Sequence, residues 1–439
     1  MTNNPMLSLI KANKENAVGI YSACSANEYV LDAVLLHAKK TNSIALIEAT
    51  ANQVNQFGGY TGMYPKDFVK LVEERANKIG IPMSQVILGG DHLGPLTWTN
   101  LEEEEAMSNA SELIKQFVLA GFTKIHIDTS MRIKGDDETI ALPTSVIARR
   151  GAKLAKVAKD AYQELLASEP EAIEPVYIIG SEVPIPGGAQ EAEEELQVTK
   201  CEDFEATVQT FKDAFDELGL QDVWQRVIAV VVQPGVEFGD VDVVEYDREK
   251  AAVLCNTLKK YPNLMFEGHS TDYQSKECLK KMVEDGIGIL KVGPGLTFAL
   301  REALFALSHM EEEYYKGTDT PTSHFMDVLE EVMLEDPRNW KKHYHGDDRE
   351  LAFKRKYSFS DRCRYYLPHA RVQEAIQCLV HNIDAGDIPL SLLSQYMPIQ
   401  YARVRSGEIE FKAESLILDR IQDCIREYMY ASNQHLITF

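Results

Sequence analysis

The sequence predicts a (β/α)8 TIM barrel followed by a helical C-terminal extension, and three observations carry that prediction. Short apolar runs alternate with amphipathic helical segments eight times over residues 1–317. The runs are continuously apolar, as strands covered on both faces of a parallel sheet must be. Most of them end on a polar or charged residue, so polar groups recur at the C-terminal strand ends, where a barrel gathers its site. An open doubly wound sheet is disfavoured because no glycine-rich phosphate fingerprint follows the first strand.

In chain order, residues 5–14 read as a lead-in helix and residues 18–22 as the first strand, after which Asn27 caps a helix. The second strand, 44–48, ends in Glu48 and opens into a loop over residues 49–64 that holds Asn52, Gln53 and Gly58-Gly59. That loop is long for a connector, which predicts a working part. The third strand is the apolar run Val86-Ile87-Leu88, stopped by Gly89-Gly90-Asp91-His92-Leu93-Gly94-Pro95. Glycines beside an Asp and a His clear space for a polar site. Strands four to eight are read at 124–128, 176–182, 227–233, 264–269 and 289–292, ending respectively near Asp128, Glu182, Gln233, His269 and Lys291. Residues 191–195 form an acidic run, read as a solvated face or loop. From residue 318 to 439 helical periodicity takes over, cut by prolines, and this part is expected to pack on the barrel, reaching its mouth or forming an oligomer contact.

Composition bounds the function. A net charge of −23 argues against binding a nucleic-acid backbone. It leaves room for a sugar phosphate, which a few amides and one or two cations can hold. No apolar run approaches the roughly 20 residues that span a bilayer, and the N-terminus lacks a signal-peptide apolar core. Seven cysteines without a Cys-x-x-Cys pair read as reduced thiols, so a cytoplasmic location is expected.

In a closed barrel Glu48, Asp91, His92, Asp128, Glu182, Gln233, His269 and Lys291 converge on one mouth. Two imidazoles with a carboxylate and a carboxamide suit a divalent metal such as Zn²⁺ or Mn²⁺. Such an ion polarises a carbonyl while Asp91 or another of the carboxylates Glu48, Asp128 and Glu182 moves protons. Asn52 and Gln53 of the long loop and Ser270, Gly293 and Gly295 of the turns after the last two strands are candidates for substrate and phosphate. Lys291 reads as ion-paired to a mouth carboxylate in preference to a Schiff-base nucleophile, which would need desolvation. His126 reads as a ligand or, in preference, as a core histidine. His343-Tyr344-His345 reads as a surface or interface loop in preference to a metal site. Residues 357–366 are expected to pack as a capping segment, with Ser360 as the cap, in preference to donating to the site.

Several strings carry a resemblance. Glu48-Ala49-Thr50-Ala51-Asn52-Gln53, Gly89-Gly90-Asp91-His92-Leu93-Gly94-Pro95, Val232-Gln233-Pro234-Gly235 and Gly268-His269-Ser270-Thr271-Asp272 resemble the accessory subunit of class II D-tagatose-1,6-bisphosphate aldolase, the GatZ/KbaZ type. Leu290-Lys291-Val292-Gly293-Pro294 and Val404-Arg405-Ser406-Gly407 extend the resemblance into the tail. It implies a non-catalytic subunit that supports the activity and stability of a zinc-dependent catalytic subunit in galactitol, N-acetylgalactosamine or tagatose breakdown. It also implies Asp91 for proton transfer and His92 and His269 for metal, with Gln233 standing where a third histidine is expected. Glu182 would then complete a set with His92, Gln233 and His269. The alternative reading is a metal-dependent ketohexose-phosphate 4-epimerase, interconverting tagatose 6-phosphate and fructose 6-phosphate by retro-aldol and aldol chemistry. A homo-oligomer is compatible with either.

Overall fold

The structure is a computed structural model that describes residues 4–181 and 196–436. Its strands are β1 (Ile20–Cys24), β2 (Ala45–Thr50), β3 (Val86–Leu93), β4 (Lys124–Ile127), β5 (Val176–Ile179), β6 (Val227–Val232), β7 (Glu237–Phe238), β8 (Val243–Val244), β9 (Met265–Gly268) and β10 (Ile287–Val292). Eight of them close a parallel barrel in the order β1–β10–β9–β6–β5–β4–β3–β2, and β7 and β8 pair as a small antiparallel hairpin. The TIM barrel is therefore the observed fold. The hairpin was not expected, because two-residue strands carry too little pattern to be read from sequence.

The barrel interior is stratified. At the N-terminal end Ile20, Leu46, Ile178, Val231 and Ile289 form an apolar plug, closed by Met6 and Leu9 of the helix Met6–Asn16. Strand side chains alternate with period two, so the inward positions continue upward as Glu48 after Leu46, Lys291 after Ile289 and Glu267 after Met265. These charges are fully or almost fully buried and satisfy one another. Lys124 Nζ lies 2.6 Å from Glu48 Oε1 and 2.8 Å from Glu267 Oε2, and Lys291 Nζ lies 2.6 Å from both Glu48 Oε2 and Asp91 Oδ1. Lys291 is thus ion-paired, as its sequence context suggested. Gly89 makes room for this layer, because a Cβ there would stand 2.6 Å from Glu48 Cγ.

The helix Ala413–Ser432 binds the extension back onto the barrel. Tyr428 Oη donates to the Thr271 carbonyl at 2.9 Å, and the Gln422 carboxamide donates to the Ala33 carbonyl at 3.3 Å. Just beyond the helix, Gln434 donates to the Ile44 carbonyl at 2.9 Å. None of the described helices is long and apolar enough to cross a membrane. All seven cysteines are free thiols.

Lys124→Met strands two buried carboxylates without their shared cation, and breaking a buried ion pair costs about 3–5 kcal/mol. Urea unfolding should show a loss of at least that order, and a change under about 1 kcal/mol would mean that the layer does not hold the barrel.

Candidate active site

Adjacent residues on a regular strand point to opposite faces, yet Asp91 and His92 both face the barrel mouth. The cause is an irregularity in β3. Its register against β4 shifts between Gly90 and Leu93, and His92 takes a left-handed backbone with φ of 49°. A bulge of this kind re-aims a side chain at some cost in strain. Ser270, Tyr273 and Asp361 also have positive φ, at 52°, 64° and 46°. Such residues cluster where the surrounding structure over-determines the backbone. Gly94 permits the close approach that follows the bulge, because a Cβ there would sit 1.7 Å from the Asp128 carbonyl oxygen.

Three imidazoles meet at this point, with the ring centroids of His92, His126 and His269 between 5.0 and 5.2 Å apart. His92 and His269 are each braced by a carboxylate, and His126 lies beside one. His92 Nδ1 lies 2.7 Å from Asp128 Oδ2, His269 Nε2 lies 2.9 Å from Glu267 Oε1, and His126 Nδ1 lies 3.1 Å from Asp91 Oδ1. The His92 backbone N–H donates to the same His126 Nδ1 at 3.1 Å, and the buried His126 Nε2 has no partner. Asp91 also accepts from Thr50 Oγ1 at 3.1 Å.

The electrostatics follow from this crowding. Burial opposes ionisation of Asp91, but His92 and Lys291 beside it hold its carboxyl well below the usual range. Glu267 is likewise held low, against burial, by Lys124 and Lys291. Asp128 is brought down to about 2 by its bond to His92, although burial works the other way. Burial lowers His269 to about 4. His92 rises despite burial, because Asp91 and Asp128 favour its protonated form. Lys291 is driven well above its ordinary value by Asp91, also against burial, which makes it a fixed cation and not a free amine.

The donor set fits a divalent ion. Asp91, His126, Glu267 and His269 each present a ligand atom, and these atoms lie within 4.8 Å of one another. The unpartnered His126 Nε2 and the carboxylate-braced rings are features of metal-ligating histidine.

Over this cluster opens a mouth of about 610 Å³, partly open to solvent, lined among others by Asn52, Gln53, Asp91, His92, His269, Ser270, Lys291 and Gly293. The expected site residues divide as follows. Asp91, His92, His269, Lys291, Asn52, Gln53, Ser270 and Gly293 share the mouth, with Glu48 and Asp128 buried behind it. Gln233 spends its carboxamide oxygen on its own turn, accepting from the Gly235 and Val236 N–H groups at 2.8 and 3.0 Å. Glu182 and the acidic run 191–195 lie outside the described residues. The amides of Gly293 and Gly295 both donate to Asp272 Oδ1, at 2.9 and 2.7 Å, so an internal carboxylate fills the turn expected to hold a phosphate. His126 is no isolated core histidine but part of the cluster.

The segment 357–366 departs from the capping expectation. Ser360 caps no helix; its hydroxyl meets those of Ser358 and Tyr344. Asp361, with its left-handed backbone, precedes the short helix Arg362–Tyr365, and that helix delivers Arg364 and Tyr365 to the mouth. Tyr60 of the long loop packs edge-on against Tyr365, with ring centroids 4.7 Å apart. The available signal was the density of Arg362, Arg364, Tyr365 and Tyr366 in so short a stretch of an acidic chain.

The sequence model of a family described as D-tagatose-1,6-bisphosphate aldolase subunit GatZ/KbaZ-like matches residues 6–433. A crystal structure described as a probable tagatose 6 phosphate kinase from Sinorhizobium meliloti 1021 is 44% identical, covers 94% of this chain and 100% of its own, and superposes with a TM-score of 0.85. More distant matches include fructose-bisphosphate aldolase from Campylobacter jejuni, at 14% identity over 85% of this chain and 90% of its own, with a TM-score of 0.45. The YdjI aldolase from Escherichia coli K12 matches at 11% identity over 86% and 97%, with a TM-score of 0.41.

Burial pushes Asp272 up from 3.8 to about 6, against the two backbone N–H bonds that it accepts. The native state therefore holds a proton between about pH 4 and 6 that the unfolded chain has lost, and stability falls as pH rises through that window. Asp272→Asn keeps an acceptor for both amides and removes the titration. Its stability relative to the parent should grow by about 3 kcal/mol from pH 4 to pH 6 and then level off; a constant difference across that range would contradict the assignment.

Proposed function

Because the chain belongs to the GatZ/KbaZ-like family of D-tagatose-1,6-bisphosphate aldolase subunits, we propose that it acts beside a catalytic class II aldolase subunit and supports that subunit's activity and stability. The observation that carries this reading is the extent of the family match, residues 6–433 of 439, which takes in barrel and extension together. The reading extends to a phosphorylated ketose as the small molecule that enters the mouth. Asn52, Gln53 and Ser270 would contact it from the rim, with Lys291 beneath.

A second reading is favoured by one specific observation: the mouth retains an ionised Asp91 with a fixed cation, Lys291, 2.6 Å away. A purely supporting subunit has no evident need of either. In this reading the chain itself inverts C4 of a ketohexose phosphate. Asp91 accepts the C4 hydroxyl proton as the C3–C4 bond breaks. The bond electrons pass to the ketone fragment as an enediolate, whose charge Lys291 offsets. The aldehyde turns its other face, the bond re-forms, and Asp91 returns the proton. A divalent ion held by Asp91, His126, Glu267 and His269 would supply carbonyl polarisation. Tyr60 and the rest of the loop 49–64 would keep the fragments from solvent.

Two assays separate the readings. With saturating chain present, a class II tagatose-bisphosphate aldolase should gain thermal half-life, as any ligand of the native state confers; an unchanged half-life removes the subunit reading. The chain alone, given tagatose 6-phosphate, should form fructose 6-phosphate if it is an epimerase, and Asp91→Asn should lower that rate about 10²–10⁴-fold. Absence of product from metal-loaded wild-type chain leaves the subunit reading alone.

A further inference from the structure

The chain carries a surplus of acid, 68 Asp and Glu against 45 Lys and Arg, and most of its arginines are taken up in ion pairs. Arg362 and Arg364 are exceptions. Among the described residues Arg364 makes no ion pair. One of its Nη groups donates to the carbonyls of Ser360 and Asp361, the latter at 2.9 Å, and the other to Tyr365 Oη at 3.0 Å. Its guanidinium lies over the Tyr365 ring, 4.4 Å from the centroid. Arg362 is buried, donates to the Asn339 carbonyl at 3.3 Å and leaves its Nε without a partner. Two guanidinium groups sit on one short helix, neither in an ion pair among the described residues, and Arg364 brings its positive charge to the mouth. The surroundings respond to it: against burial, Tyr365 is lowered by Arg364 and Arg362.

The glycine turn at the mouth is already filled by an anion of the chain's own. The Gly293 and Gly295 amides, which would cradle a phosphate at the start of the helix Pro294–Tyr315, are spent on Asp272. A phosphate arriving there would have to displace a carboxylate bonded to two backbone N–H groups. A cation outside any ion pair among the described residues and hydrogen-bonding side chains lie instead around Arg364, where Tyr365 and the loop residues Asn52 and Tyr60 line the same opening.

We infer that Arg364, backed by Arg362 and flanked by Tyr365, Tyr60 and Asn52, forms the subsite for the phosphate group of a phosphorylated sugar, in place of the glycine turn after β10. The subsite rests on the proposed function only for the identity of the sugar; the phosphate chemistry stands on the arginines themselves. It also gives the extension a direct role, because the cation that holds the ligand comes from beyond residue 317. A planar guanidinium already anchored on one edge by carbonyls presents its remaining N–H groups to a phosphate oxygen in a fixed direction.

Inorganic phosphate, which carries no sugar, serves as the probe, titrated into the purified full-length chain by calorimetry. Wild type should bind it, and Arg364→Met should weaken binding about 10- to 100-fold, the scale of a lost charge-assisted hydrogen bond. Arg364→Lys keeps the charge without the fork and should fall between the two, which keeps the test open if the Met variant fails to fold. Asp272→Ala, which frees both glycine amides, should change phosphate affinity less than threefold, whereas a site in the glycine turn would tighten markedly once its amides are unoccupied. Wild-type affinity retained in both Arg364 variants, strong tightening in Asp272→Ala, or no phosphate binding by wild type would each overturn the inference. Stabilisation of a partner aldolase by wild-type chain is measured independently, so failure of the subsite and failure of the subunit reading are separable.

Discussion

Lys124 reaches across the barrel interior to Glu48 and Glu267, and Lys291 closes the same layer against Glu48 and Asp91. Everything above this layer depends on it. Glu267 can brace His269 only because Lys124 keeps it ionised in a fully buried position, and Asp91 can meet His126 only because Lys291 offsets its charge. An isolated ion at that depth would carry a penalty of several kcal/mol. The cost is met by mutual pairing, so no member can be altered alone. Four buried carboxylates, Glu48, Asp91, Asp128 and Glu267, face two lysines there, an excess of negative charge that a bound cation would offset.

Geometry completes what the charges begin. A straight β3 would hide either Asp91 or His92 in the helix layer. The bulge turns both inward and brings the His92 amide to His126, so one backbone distortion builds contacts to two other strands. Rim residues then arrive from parts of the chain with little sequence in common. Tyr60 belongs to the loop after β2, while Arg364 and Tyr365 belong to the extension. Their contact across the mouth couples the long loop to the C-terminal helices.

The barrel was legible because its strands are uninterrupted apolar runs, and the mouth was legible because each run stops at a polar group. Lys124 and Glu267 escaped notice, although counting by twos would have found them: Lys124 precedes His126 by two residues, and Glu267 precedes His269 by two. Gln233 was assigned by its place at a strand end, but a carboxamide followed by Pro-Gly can satisfy its own turn first. Asp272 was missed for a related reason. The sequence reveals a glycine turn suited to an anion without revealing that the chain supplies the anion. Arg364 could not be placed by spacing at all, because its position depends on how the extension packs rather than on any local period.

Above the charged layer, Asp91, His126, Glu267 and His269 form a candidate site for a divalent metal ion. Its most direct test is metal stoichiometry on the chain after chelation and re-addition of Zn²⁺ or Mn²⁺, read by elemental analysis together with thermal unfolding. The account predicts one ion per chain, a rise in Tm on loading, and loss of both in His269→Ala. No retained ion and an unchanged Tm in a folded wild-type protein would contradict it.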